Sequence, residues 1–500
     1  MNSKDLFFKK IESIGLALSF DDVRLRSSYS KIMPINVDLK TKFSRNVSLK
    51  IPLVSAAMDT ITEHKMAINM ALLGGLGIIH RNNSSKQQAD EVAKVKFYLN
   101  GLIDKPICVF ENDVIQNVLN HKKEKGYVFH SFPVLNSLGH LVGIVTKNDF
   151  DFCNNRAAKR IKDIMSKQII VAPQNTNLNK AYDIMIKNKK KVLPLVDKNK
   201  FLRGMYVFSD VIRIKFGGSL SYNTDKNGRL RVGAAIGAGN DVWERLDLLN
   251  KENVDVVVID TAHGDSKNVI NVLKKIKKKY SSFDVVVGNI SEGESAKNLA
   301  MAGADGIKVG QGPGSICTTR IIAGIGCPQV TAIYNCSKAI VKAKIPVCAD
   351  GGIRNSGDIT IALGAGADSV MLGRLLAGTK ETPGDVIFYK GMQVKNYRGM
   401  GSLGAMESSA ASRERYNQIF LEKNKLVPEG VEGVVTYQGE AANIIYQYLG
   451  GLRSGMGYVG AANIAELHKK ANFFRISSSG LVESHPHDIF ITKDAPNYRK

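Results

Sequence analysis

The chain has 500 residues, 44% of them apolar and 23% charged, with a formal net charge of +23. That length exceeds what one hydrophobic core usually fills, so two units, or one large barrel carrying an insertion, are expected. A run of about 18 apolar residues is absent, which excludes a membrane-spanning helix, and the six cysteines (108, 153, 317, 327, 336 and 348) form no CxxC pair, which argues against a zinc site or a disulfide framework.

At the N-terminus the apolar stretch ahead of Ser19 is too short for a secretory signal, and the C-terminal "NYRK" is no peroxisomal address, so a cytoplasmic location is expected. The first two apolar runs, "IPLVSAAMD" (51–59) and "GLGIIHRN" (75–82), are continuous instead of alternating, as strands buried on both faces require. An internal repeat follows. "FPVLNSLGHLVGIVTKNDF" (132–150) and "LPLVDKNKFLRGMYVFSDV" (193–211) place Pro133 with Pro194, Gly143 with Gly204 and Asp149 with Asp210, an offset of 61. Both copies predict two short strands about a turn, then an aspartate that starts a helix, and each unit buries its open face on the other. The pattern resembles a tandem pair of CBS modules, whose G-x-x-T-x-x-D turn implies purine nucleotide effectors. Thr146 and Asp149 satisfy that turn in the first copy, whereas the second has Val207 in the threonine's place.

Six more runs follow the repeat: "RVGAAIG" (231–237), "VDVVVIDTAHG" (254–264), "DVVVGN" (284–289), "DGIKVGQGPG" (305–314), "IPVCADGG" (345–352) and "DSVMLG" (368–373). Eight runs with helices between them predict an α/β fold, a (β/α)8 TIM barrel, whose chemistry gathers past the strand ends at one mouth. A doubly wound sheet is the alternative, without an early GxGxxG to support it. Residues 1–100 then form the first part of the barrel, 101–213 the inserted pair and 214–500 the remainder. The Lys-rich clusters at 187–191 and 274–279 are predicted as solvated helix faces and not as a nucleic-acid footprint.

Past the sixth run, "GQGPGSICTTR" (310–320) sets glycines where backbone N–H groups can approach an anion, with Ser315 adding a hydroxyl. Cys317 is followed by Thr318, Thr319 and Arg320, hydroxyls and a cation that favour a thiolate. The Gly- and Lys-rich stretch 390–440 is too long for an ordinary loop and predicts a mobile lid.

Four segments in this order, "DTAHG" (260–264), "GPGSICTTR", "DGGIR" (350–354) and "YRGMGSLGAM" (397–406), resemble the inosine-5′-monophosphate dehydrogenases of bacterial type over essentially the whole chain. The resemblance implies oxidation of IMP to XMP with NAD, the committed step of guanine nucleotide synthesis. The Cys317 thiolate would attack C2 of hypoxanthine, hydride would pass to NAD, and water would release the thioimidate that remains. Arg415 and Tyr416 of the lid are implied in that hydrolysis, with Thr319 in the proton relay. For IMP, the resemblance implies Met58 and Glu429 at the base, Asp350 at the ribose, and Ser315, Gly352, Gly373, Arg374 and Tyr397 about the phosphate. Gly399, Met400 and Gly401 would border the same ligand. On the cofactor side it implies Asp260 and Asn289, with Gly310 and Gly312. Carbonyls of Gly312, Gly314 and Cys317 are implied to hold potassium, completed by Glu483, Ser484 and His485 of a neighbouring chain in a homotetramer or octamer. Here "ESHPH" departs from the glycines that many relatives carry after the glutamate.

Two other readings stand beside this one. GMP reductase shares the barrel, the glycine loop and the cysteine, but the Arg415–Tyr416 pair, "AGIGCPQ" (323–329) and "YRGMGSLGAM" argue against it. A catalytically inactive nucleotide-sensing or nucleic-acid-binding scaffold is motivated by the basic charge and the repeat. The intact Cys317, Thr319, Arg415 and Tyr416 set argues against that.

Overall fold

The computed structural model describes residues 3–498 apart from 100, 104, 105, 125, 126, 128, 130, 217–220 and 494. The chain divides into two compact units, Met1–Lys96 with Ser221–Lys500, and Phe97–Leu220.

In the larger unit all eight apolar runs become strands: β1 (Leu53–Ser55), β2 (Leu76–Ile79), β3 (Gly233–Ile236), β4 (Val256–Asp260), β5 (Asp284–Ile290), β6 (Gly306–Val309), β7 (Val347–Asp350) and β8 (Ser369–Leu372). They pair in parallel and in order, with β8 closing on β1 and β2 on β3. Every residue of β4 and β5 is buried, since the barrel interior covers one face and the helices cover the other. Val54, Ile78, Ala235, Val258, Val286 and Met371 fill the interior. Phe43 plugs the end where the strands begin, and Ser44 Oγ donates to Asp284 Oδ2 at 2.6 Å beside it. The chemistry is therefore left to the opposite end.

The helices follow the strands: α1 (His64–Leu72), α2 (Ser85–Lys96), α3 (Val242–Lys251), α4 (Lys267–Lys279), α5 (Gly293–Met301), α6 (Gln329–Ala339), α7 (Ser356–Ala365) and α8 (Ala441–Val459). Ser266 caps α4, which buries Val269, Val272, Leu273 and Ile276 on its inner stripe. Lys274, Lys275, Lys278 and Lys279 lie exposed on the outer face, as the sequence predicted. No helix among the described residues is long and apolar enough to cross a membrane.

In the smaller unit both copies of the repeat fold alike. Phe132–Leu135 pairs antiparallel with Leu141–Val145, and Val192–Val196 with Leu202–Val207. Pro133 faces Ile144 as Pro194 faces Met205, so the sequence offset is also the offset in register. The helix start departs from expectation. Thr146 is the N-cap of Lys147–Asp151, and Asp149 stands three residues on, where Oδ2 accepts from both Thr146 N and Oγ1 at 2.7 Å. Val207 has no hydroxyl for such a box in the second copy. Asp210 there pairs with Arg213 at 3.3 Å, and burial pushes its carboxyl up.

Candidate active site

Strand ends deliver the polar groups of the mouth. Asp260 is the last residue of β4, Asn289 lies near the end of β5 and Asp350 ends β7. Lys308, one position before the end of β6, joins all three and is 2% exposed. Its ammonium lies 2.9 Å from Asp260 Oδ1 and 2.6 Å from Asp350 Oδ2, and it also donates to Asn289 Oδ1. Burial opposes this charge, and the two carboxylates more than offset that opposition, so Lys308 stays protonated with its pKa raised. A lysine inside an apolar parallel strand is the signal that could have marked it, because a charge there must find partners.

The lid brings the second cation. Arg415 Nη1 donates to Asp260 Oδ2. Burial alone would raise the Asp260 pKa; Arg415 and Lys308 outweigh it and hold the carboxyl well below the usual range. Burial would lower Arg415, but Asp260 raises it further, so this guanidinium is a fixed cation. Tyr416 lies beside it, its phenol pushed up by burial. A Cβ on Gly401 would come within 2.5 Å of the Tyr416 ring, so that glycine admits the tyrosine.

Cys317 is half-buried at the head of a short helix, Thr319–Ile322. Its Sγ donates to Thr319 Oγ1 at 3.2 Å, and Thr319 Oγ1 donates to Glu429 Oε2 at 2.7 Å, forming a thiol–hydroxyl–carboxylate chain. Glu429, expected against the base, thus faces Thr319, because residues 429–431 run antiparallel to 316–318: Val431 N donates to Ile316 O at 2.9 Å and Thr318 N to Glu429 O at 3.1 Å. Arg320, expected near the thiol, interacts electrostatically with Cys317 and donates to Gln311 O at 3.0 Å and Cys327 O at 2.5 Å, bracing the glycine loop.

Gly310 also corrects an expectation. Its N–H donates to Ile290 O at 2.8 Å and is not offered to an anion. Glycine is needed there because φ is +150° and a Cβ would fall 2.0 Å from Asp350 O. Asn289 is likewise turned inward, donating to Gly310 O at 2.6 Å and Asp350 Oδ2 at 3.0 Å. The described contacts of the Asp350 side chain fall on Oδ2.

The other expected residues line the same cleft. Met58, Gly373 and Tyr397 meet on one wall, where a Cβ on Gly373 would lie 3.1 Å from the Tyr397 hydroxyl and 3.4 Å from Met58 Sδ. Burial pushes the Tyr397 phenol up to about 12, and Ser315 is its hydrogen-bond partner. Gly352 and Arg374 border that end; Gly312 and Gly314 lie along the cysteine loop, with Gly399 and Met400 opposite. The cleft encloses about 220 Å³, below the ~300–1,000 Å³ usual for a ligand site, since Arg415 and Tyr416 fill part of it. Glu483, Ser484 and His485 do not join it; they are exposed at the end of the helix Ser478–Glu483. Among the described residues no group of three or more His, Cys, Asp or Glu is arranged to hold a metal ion.

The lid itself differs from an open loop. Strands Ile387–Tyr389, Met392–Arg398 and Glu432–Thr436 form a sheet, and the stretch 399–431 between the last two carries two short helices, Leu403–Ser408 and Ala410–Arg415. The sequence reading missed Arg81 and Glu414, which pair at 3.2 Å where the lid meets the barrel.

Comparison with known proteins agrees with this geometry. A family model described as the IMP dehydrogenase / GMP reductase domain matches residues 17–487. The inosine-5′-monophosphate dehydrogenase of Aquifex aeolicus is 48% identical over 493 residues, covering 98% of both chains. That of Helicobacter pylori is 47% identical over 484 residues, covering 96% of this chain and 98% of its own. Among solved structures, a cysteine-to-alanine variant of GMP reductase from Trypanosoma brucei in complex with guanosine 5′-monophosphate superposes with a TM-score of 0.86 at 37% identity, covering 96% of this chain and 100% of its own.

Proposed function

The chain belongs to the IMP dehydrogenase / GMP reductase family, and within it we propose that the cleft oxidises IMP to XMP with NAD. The observation that carries this reading is the presence of Arg415 and Tyr416 in the same cleft as the Cys317–Thr319–Glu429 chain. A covalent intermediate that must be hydrolysed needs such a second set of groups, and reductive deamination does not. The relatives at 46–48% identity are IMP dehydrogenases, against 37% for the reductase structure.

In this mechanism Tyr397, Ser315 and Arg374 receive the phosphate, and the Asp350 carboxylate accepts from the ribose. The Cys317 proton leaves toward Thr319 and Glu429, and the sulfur adds to C2, making that carbon tetrahedral. NAD, when bound, supplies the hydride acceptor. Loss of hydride from C2, with its electron pair, restores the C=N bond and leaves the nucleotide attached to sulfur. Asp260, released by Arg415, is the natural acceptor for the hydroxyls of the nicotinamide ribose. Return of Arg415 to Asp260 then fills that half of the cleft. Glu429 passes the first proton to solvent before the second half begins. Because its surroundings raise the Arg415 pKa, this side chain acts by orienting water as a cation; the water oxygen adds to C2 as its proton travels through Thr319 to the Glu429 carboxylate. Breaking the C–S bond frees XMP and the thiolate.

A monovalent cation, potassium by resemblance, fits the hard carbonyl oxygens of Gly312, Gly314 and Cys317. Glu483, Ser484 and His485 lie outside this cleft, so completing the cation shell calls for a second copy, as in a tetramer. The Thr146–Asp149 turn is the proposed seat of a purine nucleotide effector. The test of function is direct: purified protein with IMP and NAD produces NADH absorbance at 340 nm, whereas reaction of GMP with NADPH and none of IMP with NAD would assign the reductase.

A further inference from the structure

Glu414 precedes Arg415 on the lid, and the barrel has a receptor for it. Its Oε2 accepts from Arg81 Nη1 at 3.2 Å and its Oε1 from Ala238 N–H at 3.1 Å, at the ends of β2 and β3. The backbone is bare where the carboxylate lands. A Cβ on Gly237 would lie 2.3 Å from Glu414 Oε1, and one on Gly239 would lie 2.5 Å from the carboxyl carbon. The Arg81 side chain is 5% exposed, makes no other ion pair among the described residues, and has Nη2 buried without a partner. A guanidinium so placed is costly unless an anion covers it. Two residues earlier on the same short helix, the lid is tethered again, by Ser412 Oγ donating to Asn82 Oδ1 at 3.1 Å.

We propose that Arg81 and Glu414 are positioning residues for the hydrolytic step: their pair latches the lid over the cleft and sets how strongly Arg415 competes with NAD for Asp260. The proposal rests on the IMP dehydrogenase reading. It follows that loosening the latch acts in opposite directions on the two occupants of that half of the cleft. Hydrolysis slows because the lid closes less often, and NAD gains because its competitor is weaker.

The test compares the parent with Glu414→Gln, Arg81→Met and Arg81→Lys by rapid mixing with IMP and NAD. Expected for Glu414→Gln and Arg81→Met is a first-turnover NADH burst at nearly the parent rate, followed by a steady state slower by about tenfold, the scale of one charge-assisted hydrogen bond. Inhibition by excess NAD should set in at a concentration lower by about the same factor. Arg81→Lys, which keeps the charge, should recover most of the steady-state rate. Unchanged steady state and NAD inhibition in both neutral variants would overturn the latch. Equal losses of burst and steady state, the mark of general damage, would overturn it too. A parent enzyme giving no NADH from IMP would instead overturn the reaction on which the latch rests.

Discussion

Arg415 of the lid donates to Asp260 at the end of β4, so the lid and the expected nicotinamide ribose converge on one carboxylate. Two occupants that need the same acceptor must take turns. In the proposed mechanism the order of the reaction, hydride transfer and then hydrolysis, is tied to that single ion pair.

Arg415→Gln separates the two halves. The NADH burst should survive, while turnover falls at least about a hundredfold, as expected when a preorganised charge is removed from a closed site. Rapid-quench measurement of NADH and XMP reads both; equal loss of the two products would place Arg415 in hydride transfer as well.

Lys308 holds two carboxylates together inside the barrel mouth. Lys308→Met leaves Asp260 and Asp350 facing each other with less compensation, and the barrel should lose about 3–5 kcal/mol, the usual cost of breaking a buried ion pair. Urea unfolding followed by tryptophan fluorescence of Trp243 measures it. A loss under about 1 kcal/mol would mean that the lysine is dispensable to the fold.

Gly310→Ala forces a Cβ onto Asp350 O in a backbone conformation that L-residues avoid. IMP affinity, measured by calorimetry without NAD, should fall about tenfold or more, and the thermal midpoint should fall as well, because Gly310 is buried against the ends of β5 and β7. Unaltered affinity would contradict the role of this close approach in shaping the site.

The strands and the mouth were legible in the sequence because continuous Val/Ile runs have few other uses than a sheet covered on both sides, and because several runs end in polar groups or glycines, such as Asp260, Asn289 and Asp350, that line the cleft. The remaining features depend on long-range partners. Lys308 reads as one polar residue in an apolar strand until Asp260 and Asp350 are brought beside it. Arg81 and Glu414 lie far apart in the chain and meet through the lid. Gly310 offered two reasons for lacking a side chain, and the choice between anion and neighbouring carbonyl needed the position of Asp350. The sequence pattern suits Asp149 to start the helix, whereas Thr146, three residues earlier, is its N-cap, since a threonine and an aspartate can exchange capping roles.

Glu91 couples the outer layer to pH. Burial raises its carboxyl, but His64 and Lys94 dominate together and bring it down to about 2, with Oε2 accepting from both His64 N and Nδ1 at 2.7 Å. A folded-state value below the ordinary one means stability fully present above about pH 4.5 and lost as pH falls toward 2. That loss should be on the order of 2 kcal/mol after allowance for solvent screening. Glu91→Gln should therefore be less stable at pH 7 and show a flatter stability profile between pH 4.5 and 2; parallel profiles for the two proteins would remove Glu91 from the acid response.

The most direct measurement is the mass of Cys317-containing peptide from protein quenched during turnover with IMP and NAD. A mass increase over the free-thiol peptide matching IMP less two hydrogens, one lost as hydride and one as the thiol proton, located on Cys317 and enriched in Arg415→Gln, is the predicted result. Steady NADH production with Cys317 unmodified at every quench time, or undiminished turnover by Cys317→Ala, would contradict it.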